Sequence, residues 1–138
     1  MKDSKGLRFD FDLPEDDRDF LNSINLSWEA VTEGKVQSII IYGYRIPKGY
    51  NHRVVDVRLR IDRTYPDTQI DMVYFYPDLA RNDGRAIKAI SNEMFDGKSW
   101  QRWSRHRTNK NPWRIGIDNI ETHITLVGEW LFQELKKT

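Results

Sequence analysis

Cysteine is absent from all 138 residues, and that absence removes whole classes of chemistry. Without it there is no disulfide, no thiolate ligand for zinc and no thiol nucleophile. A bias of charge is missing too. Lys and Arg number 22 against 21 Asp and Glu, for a net charge of +1, so nothing draws the chain as a whole toward nucleic acid or a membrane. No run approaches the roughly 20 apolar residues of a membrane span, and the N-terminal MKDSKGLRFDFDL lacks the apolar core of a signal peptide. A cytoplasmic location is the expectation. None of the eight glycines falls in a GxGxxG or GxxxxGK run, which argues against a phosphate-binding loop. His52, His106 and His123 are the only histidines, and no His-x-x-x-His or Glu-x-x-His spacing joins them, so neither a metal site nor a cofactor is expected.

What is present suits one folded domain over residues 1–138: 38% hydrophobic, 12% aromatic and 31% charged residues. The polar, aperiodic stretch 1–11 reads as a loose N-terminal tail. A short helix is predicted from Asp12 to Ile24, with Asp12 as its cap, Pro14 near the first turn and Glu15, Asp16 and Asp17 where the helix dipole favours acids. Four strands follow: Trp28 to Val31, Val36 to Ile46, Val54 to Asp62 and Met72 to Phe75. In the third, Val55, Val57, Leu59 and Ile61 alternate with Asp56, Arg58 and Arg60, the pattern of a sheet with one wet face. Residues 78–116 read as a long loop, with a short helical piece around Ala86 to Met94. Ile120, Ile124, Val127, Leu131 and Leu135 then recur at helical spacing, and Asp118 with Glu121 resembles a capping pair. The fold class is therefore α+β: an N-terminal helix, a four-stranded antiparallel meander, a long loop and a C-terminal helix.

The stretch from Lys98 to Arg114 carries six basic residues, no acid and three of the five tryptophans. Basic residues interleaved with rings suit either a docking face or single-stranded nucleic acid, with cations on phosphate and rings under bases. The plainer alternative has the tryptophans anchor the segment to the core while arginines cover them. Trp100, Arg102, Trp103, Arg105, Arg107 and Trp113 are the candidate partner-binding residues. Ser104 and His106 form a possible nucleophile and base, with Asp118 as the group that would orient the histidine. His123, on the buried stripe of the last helix, reads as a packed histidine.

The order of elements, the Tyr65-Pro66 before Met72-Val73-Tyr74-Phe75-Tyr76-Pro77, and Trp113 followed by Ile115, Ile117 and Ile120 resemble ubiquitin-conjugating domains over about residues 14–135. The strings GKSWQRWSRHR and PWRIGIDNIETHI are similar to the bacterial group classed as prokaryotic family E. That resemblance implies a ubiquitin-conjugating-like fold and a place in a bacterial ubiquitin-like conjugation system. Implied partners are a ubiquitin-like or multi-ubiquitin-like protein, a ThiF-type activating enzyme and a JAB-type metallopeptidase. It would also place the usual catalytic cysteine near Trp103 to His106, where this chain has Ser104 and His106 instead. Thioester chemistry is excluded, because an unassisted hydroxyl hardly ionises at neutral pH. The expectation is a non-catalytic binding or adaptor component; the alternatives are a Ser/His-dependent oxyester-forming enzyme and a single-stranded nucleic-acid binding module.

Overall fold

A computed structural model describes residues 6–138. Helix α1 spans Glu15–Ser23, strands β1 to β6 span Trp28–Glu33, Val36–Arg45, Val54–Ile61, Val73–Tyr76, Ile90–Phe95 and Lys98–Trp103, and helix α2 spans Ile120–Lys136. The α+β class and the two flanking helices are as expected, but the sheet has six strands in the order β1-β2-β3-β4-β6-β5. All its pairings are antiparallel.

The two extra strands occupy the predicted loop. Asp96 and Gly97 take positive φ values of 54° and 73° and join β5 to β6, the backbone that an Asp-Gly pair adopts in a tight hairpin. The helical piece expected around Ala86 to Met94 is instead irregular up to Ala89 and strand β5 from Ile90 onward.

α1 begins at Glu15 with Pro14 at its cap position and no side-chain cap, so Asp12 does not play the role its spacing suggests. At α2 the cap is Asn119, which accepts from the Thr122 amide while Thr122 Oγ1 accepts from the Asn119 amide. Asp118 and Glu121 are thus not the capping pair. The expected tail falls partly on residues 1–5, which lie outside the described residues. Arg8 and Asp10 are bonded to β1: the Ala30 amide donates to Arg8 O at 3.0 Å and the Asp10 amide to Ala30 O at 2.7 Å.

Period-two alternation sends Ile39, Ile41, Val57, Leu59, Phe75 and Trp103 to the sheet face covered by the helices, where they meet Leu21, Ile120, Val127 and Leu131. The opposite face is not wet. Val31, Ile40, Tyr42, Tyr74, Phe95 and Trp100 form a second apolar cluster there, and Arg58 is sealed within it. The Arg58 guanidinium lies 4.3 Å and 4.0 Å from the ring centres of Tyr74 and Phe95, donates to Ser38 Oγ at 2.9 Å and pairs with Glu93 at 2.7 Å. Cation–π contact and charge pairing offset the desolvation that lowers its pKa. Among the described residues no helix is long and apolar enough to cross a membrane.

Candidate functional site

β6 presents Trp100 to one sheet face and Trp103 to the other, and both rings are at 0% exposure. Trp103 Nε1 donates to Gln101 Oε1 at 2.9 Å and Trp100 Nε1 to Phe95 O at 3.0 Å. Neither ring has a face to offer a partner or a base, which corrects their assignment as docking residues and removes the stacking platform of the nucleic-acid reading. The alternative in which the tryptophans anchor the segment to the core holds for both rings; residue type alone does not select it, because the strand that covers both faces has no local pattern.

The arginines of the segment are also engaged internally. Arg102 Nε donates to Ser91 Oγ at 3.0 Å. Arg105 pairs with the buried Glu134 at 2.9 Å, which also faces Arg81 at 3.6 Å and Lys137 at 3.5 Å. The Arg107 side chain is only 5% exposed, lies 4.9 Å from the Trp113 ring centre and reaches Asp118 at 3.8 Å; its Nε and Nη2 have no hydrogen-bond partner among the described residues. Burial lowers its pKa. Trp113 is half-buried between Arg107 and Tyr65, and its Nε1 donates to Pro66 O at 2.9 Å.

The three predicted catalytic residues do not converge. His106 Nδ1 lies 2.9 Å from Asp71 Oδ2, whereas Asp118 accepts from the Arg114 amide at 2.7 Å and pairs with the Arg114 guanidinium at 3.2 Å. Burial pushes the Asp118 carboxyl up, but hydrogen bonds from Arg114 and Thr122 outweigh it and hold the pKa at about 2. Ser104 is half-exposed, its amide donates to Ala89 O at 2.9 Å, and no hydrogen bond joins it to His106 among the described residues. A serine with no base on its hydroxyl is a poor nucleophile. Asp71 is the residue the spacing did not reveal: it comes close because the chain beyond β6 runs beside the start of β4, with the Met72 amide donating to Arg105 O at 3.1 Å.

His123 is fully buried against Trp130, with ring centres 5.5 Å apart. Its Nε2 lies 2.8 Å from Met72 O. A carbonyl only accepts, so Nε2 carries the proton and Nδ1 is an acceptor with no hydrogen-bond partner among the described residues. Burial holds the pKa down at about 4. Among the described residues no group of three or more His, Asp or Glu side chains is arranged to hold a metal ion.

What the segment does expose lies nearer α2. Ile115 and Ile117 are 66% and 59% exposed on a turn around Gly116. That turn is pinned from below, since the amides of Ile117 and Asp118 both donate to Arg114 O. It stands beside the start of α1, where Asp16 accepts from Asn119 Nδ2 at 3.3 Å and Asp17 accepts from the Ile120 amide at 3.1 Å. The turn thus displays two branched apolar side chains beside the acidic start of α1.

No curated protein and no solved structure gives a significant match to the chain. The sequence model described as Prokaryotic E2 family E matches residues 13–134, nearly the whole of the sheet and both helices, and the chain therefore belongs to that family.

Proposed function

We propose that this protein is a non-catalytic member of a bacterial ubiquitin-like conjugation system, acting in the cytoplasm as a binding or adaptor partner of a ubiquitin-like protein or of its activating enzyme. Family membership supports a place in such a system. The absence of cysteine rules out a thioester on this chain. The separation of Ser104, His106 and Asp118 supports binding over transfer.

The observation that carries the reading is the exposed pair Ile115 and Ile117, held on a turn whose base is an ion pair and whose neighbour is the acidic first turn of α1. Branched side chains held rigidly lose little entropy on docking, so even a small patch contributes. Titration calorimetry with a ubiquitin-like protein and with a ThiF-type activating enzyme tests this. Binding to one of them that weakens at least tenfold in Ile115→Asp or Ile117→Asp is the expected result, and affinity indifferent to both substitutions contradicts it.

One observation favours the oxyester alternative. Asp71 orients His106 through Nδ1 and leaves Nε2 free, the arrangement in which a histidine serves as a base. For that reading Ser104 Oγ has to swing onto Nε2, and an adduct with a ubiquitin-like protein that hydroxylamine cleaves and Ser104→Ala abolishes is its signature.

A further inference from the structure

The two edges of the sheet are finished differently. β1 is covered by residues 8–10, which exchange backbone hydrogen bonds with Ala30, and Phe9 bridges to it in parallel. β5 has no such cover among the described residues; its ladder partner is β6 alone. Exposed edges are ordinarily blunted by proline, a bulge or an unpaired charge. The β5 register runs unbroken from Ile90↔Trp103 to Phe95↔Lys98 and contains no proline. Its one charged side chain, Glu93, is turned across the sheet onto Arg58.

The open edge has a definite polarity of hydrogen-bonding groups. Ser104 N–H donates to Ala89 O, and bonded pairs alternate along an antiparallel ladder. Ala89, Ser91, Glu93 and Phe95 therefore direct their backbone groups at β6, whereas Ile90, Asn92 and Met94 direct theirs outward.

The outward set is complementary to itself. A two-fold axis at Asn92 lays a second β5 antiparallel to the first, with Asn92 facing its own copy and Ile90 facing Met94 on either side, each pair in register to exchange backbone hydrogen bonds. The side chains so paired are the exposed apolar ones of this edge, Ile90 at 39% and Met94 at 66% exposure, and each covers the other. On the opposite face Ser91 of one copy meets Glu93 of the other. Each Glu93 carboxylate stays on its own Arg58 and each Arg102 on its own Ser91, so no like charges are brought together there.

We propose that this protein self-associates through β5, joining the sheets of two copies edge to edge into one continuous sheet. The inference goes beyond the partner-binding reading and uses a different surface. A strand-to-strand contact is small beside the roughly 1,200 Å² of a stable interface, so the dimer forms in a concentration-dependent way.

Sedimentation velocity on a dilution series of the full chain, joined to residue-resolved amide exchange, tests it. The dimer fraction rises with concentration in the unaltered protein. Met94→Lys sets a charge against Ile90 of the copy, and Asn92→Pro removes an amide that β6 does not use. Each shifts dimerisation to at least tenfold higher concentration while an unchanged circular dichroism melt shows that the fold is kept. The amides of Ile90, Asn92 and Met94 slow their exchange as concentration rises, whereas those of Ser91 and Glu93 are slow throughout. A monomer across the whole series, a dimer that survives both substitutions, or exchange at Ile90, Asn92 and Met94 that ignores concentration would overturn the proposal.

Discussion

His106 Nδ1 lies 2.9 Å from Asp71 Oδ2 on the surface of the molecule, 35 positions apart in sequence. Both side chains are open to water. Exposed ion pairs contribute about 0–1 kcal/mol. Asp71→Ala and His106→Ala are therefore expected to change stability by less than about 1 kcal/mol in urea unfolding, and to leave affinity for a protein partner unaltered in the same calorimetric titration.

Trp103 gives the opposite expectation. Its ring is fully buried, in edge contact with Phe75 at 5.2 Å and tilted against Tyr50 at 6.1 Å. Trp103→Ala should cost about 3–5 kcal/mol, as large aromatic truncations in cores do. A cost below about 1 kcal/mol in urea unfolding would mean that β6 does not carry this ring into the core.

A buried neutral histidine makes stability depend on pH with a definite sign. His123 titrates at about 4 in the folded chain against 6.5 for an unperturbed imidazole. Between those values the unfolded chain takes up a proton that the folded chain refuses, so stability falls as pH drops from 6.5 toward 4 and this contribution levels off below. The full loss is roughly 3 kcal/mol at about 1.4 kcal/mol per pH unit. Asp118, held at about 2, loses its own contribution only at lower pH, between 3.8 and 2. Denaturant midpoints measured from pH 7 to 4 check this, and His123→Gln should flatten the upper part of the profile.

Asp17 ties the helices together. One carboxylate oxygen accepts from Tyr65 Oη at 2.7 Å and the other from the Ile120 amide at 3.1 Å, so α1, the turn before β4 and the start of α2 share one buried acid. Asp17→Asn keeps one acceptor and turns an NH₂ group toward the other donor. Leaving a buried donor unsatisfied costs about 1–3 kcal/mol, which a thermal melt of the variant would show.

Much of this architecture was legible in the chain. The helical spacing of Ile120 to Leu135 and the alternation of Val55 to Ile61 lie within single elements, and α2 and β3 follow from them. β5 was not, because Ile-Ser-Asn-Glu-Met-Phe holds few branched residues and Asp96-Gly97 was its one local hairpin signal. The burial of Arg58 depends on Phe95 and Glu93, and the pairing of His106 depends on Asp71. Both are contacts between segments 35 positions apart or more, which no local pattern reports. Residue type leaves the tryptophans between docking face and core anchor, and only the strand says which faces are covered.

The central claim is that this protein binds without accepting cargo. Incubation of the purified chain with a ThiF-type activating enzyme, a ubiquitin-like protein and ATP, followed by intact-mass spectrometry, tests it most directly. The unmodified mass with retained non-covalent binding is the predicted result. A mass increased by one ubiquitin-like protein, resistant to thiols and lost in Ser104→Ala, would contradict it.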